Sequence, residues 1–238
     1  MDTSTRTDCG LGPVFTLLQI SDPYFPIGGY THSFGLETYV QKGLVHDAAS
    51  AERYLQSFLA SSFLHNDLLA VKLAWEYAAG NDLDGLVNLN RTLSAAKAAR
   101  EIRTASLKLG ARFIKILKMV LEKNPLFKAG VQAFRNNGPG ANYSVVFGLC
   151  ARLLNIEKKA ALAALSYGTA SSIVNNCAKL VPLSQRDGQS ILFSSRALFI
   201  SLLVRVEELS AEDIGIGGTG FDLRSMQHER LYARLYIS

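Results

Sequence analysis

Apolar side chains recur along most of this chain at the spacing of an α-helix, and strand-like alternation is scarce. The clearest run is Ala98–Lys123. At about 100° per residue, Ile102, Ala105, Leu109, Phe113, Ile116, Leu117 and Val120 fall on one face, with Arg100, Lys108, Arg112, Lys115 and Lys118 opposite. Ala48–Ala79 carries a similar stripe from Leu55, Phe58 and Leu59 through Phe63, Leu68 and Val71 to Trp75, until Gly80-Asn81-Asp82 breaks it. Tyr143–Leu154 and Lys158–Leu180 read as further helices, the second crowded with Ala, Gly and Ser that permit close helix approach. Pro182 ends it. Ser184-x-x-Asp187 matches a capping box, and the helix it opens should run to about Glu208. Asn136–Asn142 (NNGPGAN) is the strongest internal breaker, yet neither side has a self-sufficient core pattern, so it reads as a connection inside one domain. The expectation is an all-α, single-domain multi-helix bundle with a buried, small-residue-rich central helix and a C-terminal tail on a glycine hinge. Residues 1–13 form a disordered lead-in, 14–208 the helical domain, and 209–238 the hinge and tail.

Composition fits that picture. At 238 residues and 48% hydrophobic content the chain can bury a full core, and a mean hydropathy of +0.13 favours a substantial helix–helix or partner interface. The uncharged run Ala160–Ala178 approaches the ~20 residues of a membrane span. It holds Ser166, Thr169, Ser171, Ser172, Asn175 and Asn176, however, and reads as a buried helix with no membrane role. Met1–Pro13 has no apolar core of a signal peptide. Cys9, Cys150 and Cys177 are odd in number and far apart, which points to a reducing compartment, the cytoplasm. Net charge is +5, but residues 91–135 hold eleven Lys/Arg against only Glu101 and Glu122, leaving the remainder at −4. This basic band is either a solvated helix face or a surface for an acidic partner.

Signals of catalysis are missing. His32, His46, His65 and His228 are dispersed without ligand spacing, so no metal site is expected. No nucleophile signature is present, and Cys150 and Cys177 lie within apolar helices as core residues. Gly215–Gly220 (GIGGTG) satisfies G-x-G-x-x-G literally, but a polar, helix-ending segment precedes it where the dinucleotide fold needs a strand. It reads as a flexible hinge, and no bound cofactor is expected.

Two segments stand apart from the helical background. Asp22–Glu37 (DPYFPIGGYTHSFGLE) places Pro23, Pro26 and the Gly28-Gly29 pair before a helix, which should give an extended and turned approach. Its Tyr24, Phe25, Ile27 and Tyr30 are too apolar for a generic surface loop; they are packed inward or presented to a partner. The tail Phe221–Ser238 (FDLRSMQHERLYARLYIS) has Leu231/Leu235 and Tyr232/Tyr236 as i,i+4 pairs. It is either a last helix folded back on the core or a segment that orders against a partner.

Leu17–Glu37, Asn176–Gln189 (NCAKLVPLSQRDGQ) and Met226–Ser238 (MQHERLYARLYIS) together resemble the urease accessory protein UreF family, in the same order and over nearly the whole chain after the first dozen residues. The resemblance implies an all-helical, non-catalytic chaperone of nickel delivery that dimerises and binds the accessory protein UreD (UreH in some organisms). That pair recruits the GTPase UreG, and the assembly loads nickel, its cargo, into apo-urease. By resemblance the partner-binding residues are Tyr30, His32, Ser33 and Glu37 from the first segment and Met226, His228, Tyr232 and Arg234 from the last. Tyr30 and Tyr232 are expected as amphipathic anchors, and Arg234 as a charge-assisted donor across the UreD/UreH interface. Two other classes compete. The basic band suits a helical nucleic-acid binder, although recognition signatures are missing. An enzyme site could be assembled from Asp22, His32 and Glu37, although their spacing does not demand one.

Overall fold

The computed structural model describes residues 11–22, 24–29, 32–138 and 140–237; most of the expected lead-in lies outside them. The described residues form helices and no strands. In order these are α1 (Gly12–Ile20), α2 (Leu36–Gln41), α3 (Ala48–Phe58), a π-helical stretch (Leu59–Leu68), α4 (Leu69–Ala79), α5 (Leu83–Ala96), α6 (Arg100–Leu121) and α7 (Pro125–Asn136). There follow α8 (Tyr143–Leu153), α9 (Lys158–Leu180), α10 (Gln185–Ser194), α11 (Arg196–Glu208) and α12 (Thr219–His228).

Side chains in the caps explain several starts. Asp47 accepts from the Ser50 backbone N–H at 2.7 Å to open α3, and Asn124 accepts from Phe127 N–H, with Pro125 beside it, to open α7. Ser184 and Asp187 form the expected capping box of α10. That helix does not reach Glu208 unbroken. Ser194 and Ser195 both turn their hydroxyls back onto the Ile191 carbonyl, and the axis bends by 42° between α10 and α11.

The predicted Ala48–Ala79 helix is continuous but widens at its centre. Ser61, His65 and Asn66 side chains bond the carbonyls of Ser57, Ser61 and Ser62, four residues back, where backbone amides normally bond. The backbone passes through a π-helical stretch instead.

The deepest layer is α4 against α8, in which residues 69–74 and 144–151 are buried without interruption. Gly148 makes this contact possible: a Cβ there would lie 2.5 Å from the Val71 carbonyl oxygen. The small-residue helix α9 packs against α1, α2, α3, α4, α8, α10 and α11, and leaves Tyr167 exposed on its outer side. Asn90 and Asn142 sew the NNGPGAN loop to α5: Asn90 Nδ2 donates to Gly140 O at 2.7 Å, and Asn142 N–H donates to Asn90 Oδ1 at 2.8 Å. Among the described residues no single helix is long and apolar enough to cross a membrane.

Candidate partner-binding site

The proline–glycine segment is folded into the body. Asp22 Oδ1 accepts from Tyr24 N–H at 2.6 Å, Phe25 packs edge-on to Phe113 at 5.6 Å, and Arg112 Nη1 donates to Ile27 O at 2.8 Å. Asn176 Nδ2 on α9 donates to His32 O at 2.9 Å. Phe34 and Gly35 then turn through positive φ, 54° and 85°, to start α2. A Cβ on Gly35 would lie 2.5 Å from Ser225 Oγ, so α12 packs directly onto this turn.

Glu37 is the centre of the site. It is buried near the start of α2, and its Oε1 accepts from Leu235 N–H at 2.7 Å. Oε2 accepts from Tyr236 N–H at 3.2 Å and lies 3.0 Å from His228 Nε2. His228 is fully buried, and its Nδ1 lies 2.6 Å from Glu101 Oε2 on α6. With a carboxylate at each ring nitrogen, both nitrogens donate together only as the imidazolium. Arg234 Nη1 closes the chain on Glu101 Oε1 at 2.8 Å, and Arg100 pairs with Glu229 at 2.7 Å. Thr38 Oγ1 bonds Arg224 O, and Gln41 Nε2 bonds Ala233 O, both at 2.9 Å. The tail is thus held along one side of α2 and the start of α6.

At the start of the tail, Phe221 enters a cluster of Tyr39, Tyr54 and Phe58, with ring centroids 5.7, 5.6 and 5.4 Å away. The glycine segment expected as a hinge lies along the π-helical stretch. Gly215 N–H donates to the His65 carbonyl at 3.2 Å, and Gly218, at φ 92°, rests against Ser62. Residues 229–237 are not helical, so the Leu231/Leu235 and Tyr232/Tyr236 pairs do not stack on a helix. The cause is visible at Leu235 and Tyr236, whose amides bond the Glu37 carboxylate instead of carbonyls four residues back.

Most of the residues expected from sequence converge here. His32, Ser33, Glu37 and His228 are buried, Met226 is exposed, Tyr232 is fully exposed, and Arg234 is partly exposed on its pair with Glu101. Tyr30 lies outside the described residues. Burial, with Arg112 and Lys108 nearby, lowers the His32 imidazole to about 4, so it is neutral at physiological pH. Sequence reasoning missed Glu101, although it is one of only two acids in the basic band. It also missed the pair of Lys97 with Asp67, 3.0 Å apart beside Ser144.

Among the described residues no three His, Cys, Asp or Glu side chains are grouped to hold a metal ion. Glu37, His228 and Glu101 stand in line, with the imidazole between the carboxylates rather than all three facing one point. Cys150 and Cys177 are buried free thiols, and burial pushes Cys177 up to about 12 and Cys150 higher still, which leaves both protonated and unreactive. A cavity of about 1130 Å³ is walled by Phe25, Phe63, Phe147 and Phe221 and by the Asp67–Lys97 pair.

Comparison with known proteins agrees on one family. The UreF family model matches residues 45–196. A urease accessory protein UreF of Actinobacillus pleuropneumoniae is 41% identical over 228 residues, 96% of this chain and 100% of that protein. Proteins of the same name from Haemophilus influenzae and Geobacillus kaustophilus are 38% and 32% identical, each over 222 residues and 93% of this chain, covering 94% and 96% of their own lengths.

Proposed function

The chain belongs to the UreF family of urease accessory proteins, and from that premise we propose that it is a non-catalytic scaffold for urease maturation. In this reading it works in the cytoplasm as a homodimer, binds UreD/UreH, and with the GTPase UreG promotes nickel insertion into apo-urease. Nickel is the cargo of the assembly. The observation that carries the reading is the tail, which is held in place from within while several of its apolar side chains point outward. Tyr232 is fully exposed, and Met226, Leu235 and Ile237 are exposed beside it. Exposed aromatic and apolar side chains on a fixed backbone are what a protein interface uses, because little conformational entropy is left to lose on binding.

The eight expected residues then divide into two jobs. His32, Ser33, Glu37 and His228 fix the segment from inside, Arg234 fastens it to Glu101 and would have to leave that pair to donate across the interface, and Met226 and Tyr232 make the outward contacts, with Tyr30 as a further anchor. The test is co-expression with cognate UreD/UreH and UreG, followed by size exclusion with light scattering, for the wild-type chain and the Met226→Ala/Tyr232→Ala variant. Both substituted side chains are exposed, so the fold should survive. The expected result is a stable complex that the variant weakens. A variant that co-elutes as the wild type does would remove the tail from the interface. No complex with the wild type would overturn the scaffold reading itself.

A further inference from the structure

We propose that the outer face of α6 is a second part of the docking surface, continuous with the tail, and that it receives an acidic, partly apolar protein surface. The proposal rests on the scaffold reading above and specifies the chemistry of the partner. Lys108, Lys115 and Lys118 lie on one side of the helix over about 15 Å of its axis. All three are exposed, and none forms an ion pair among the described residues. The acid that could neutralise them at the start of α6, Glu101, is already committed to His228 and Arg234. Glu122, four residues past Lys118, is exposed and forms no ion pair among the described residues, so the three lysines face one carboxylate and the ridge keeps a net positive field. That field reaches inward as well, since Arg112 and Lys108 contribute to holding the buried His32 neutral.

Two features tie the ridge to the tail and choose between partner classes. Glu101–Arg234 and Arg100–Glu229 fasten the tail to the first turn of α6, so the two surfaces share an edge. The ridge also carries an apolar side chain in the open: Met119 is 85% exposed. Apolar area beside lysines complements a protein surface, whereas a phosphate backbone gains nothing from it.

The test measures binding of the full chain to cognate UreD/UreH and, separately, to UreG. The Lys108→Glu/Lys115→Glu/Lys118→Glu variant is compared with wild type, after circular dichroism and melting have shown that it folds equally well. The expected result is an affinity for at least one of the two partners about 10-fold or more lower in the variant, with wild-type binding weakened by salt while the variant is less sensitive. Unchanged affinity for both partners, while Met226→Ala/Tyr232→Ala still weakens the complex, would overturn the ridge and leave the scaffold reading standing. Failure of the wild type to bind either partner would overturn both. Salt-dependent binding of a DNA duplex that the charge reversal abolishes, with protein binding unaffected, would overturn the proposal in favour of nucleic acid.

Discussion

Replacing Glu37 by Gln isolates the anchorage of the tail. The carboxylate accepts from Leu235 N–H at 2.7 Å and Tyr236 N–H at 3.2 Å and faces His228 Nε2 at 3.0 Å, all in a buried site. Gln keeps the shape and one acceptor oxygen, but it turns an NH₂ toward donors and loses the charge that faces the imidazole. Hydrogen bonds to charged groups contribute about 1.5–3 kcal/mol each, and a buried amide left unpartnered adds a similar cost, so the docked state should lose about 3 kcal/mol. That corresponds to about 100-fold in the opening equilibrium. The cost should fall on the tail because the bonds at stake run between it and α2 and α6, away from the α4–α8 layer. Hydrogen exchange resolved by residue is the assay. Leu235 and Tyr236 amides should exchange about 100-fold faster while amides of α4 and α8 keep their protection. Trypsin offers an independent readout at Arg230 and Arg234. Unchanged protection at Leu235 and Tyr236 would refute the anchorage. An equal loss of protection throughout the chain would refute its local character.

Two further outcomes follow from buried charge. Lys97→Met leaves the Asp67 carboxylate without its cation in a site where the lysine side chain is only 6% exposed; a loss of about 3 kcal/mol in urea unfolding is expected, largely restored by adding Asp67→Asn. The His32 imidazole titrates at about 4 in the folded chain against an ordinary histidine value of 6.5, so between those values the unfolded chain takes up a proton that the folded chain refuses. Stability therefore falls as pH drops through that window, and His32→Gln should reduce the difference between urea midpoints at neutral and mildly acidic pH; an undiminished difference would place its source elsewhere.

What the sequence made legible was local. The i,i+3/i,i+4 stripe of Ala98–Lys123 became α6, and Ser184-x-x-Asp187 became a capping box, because each signal acts within one or two helical turns. The break at Ser195 was not legible, since serines bonding back to Ile191 leave the apolar stripe of the two helices uninterrupted. The UreF resemblance and the unusual composition of Asp22–Glu37 and Met226–Ser238 marked the two segments that meet. They could not show that Glu37 holds Tyr236, 199 residues away, because no periodicity encodes a contact of that separation. The same contact explains why the tail is helical only as far as His228. Its i,i+4 pairs predict a helix only if the backbone amides remain available for helical bonds, and Glu37 removes two of them.

The π-helical stretch has a consequence for how the chain tolerates insertions and deletions. A π turn accommodates more residues than an α turn while the helix around it continues, so Leu59–Leu68 absorbs surplus residues without rotating α4 out of register with α8. Removing one residue here would tighten the rod toward regular α-helix and leave Lys72 facing the Glu207 and Leu209 carbonyls that it caps. The same deletion at the start of α4, before Val71, would turn Lys72 away and carry Gly148's neighbour Val71 with it. What the shorter rod would give up is the His65 carbonyl that Gly215 now uses. A one-residue deletion within Leu59–Leu68 should therefore be tolerated better than one in α4, and should loosen the seating of the glycine segment.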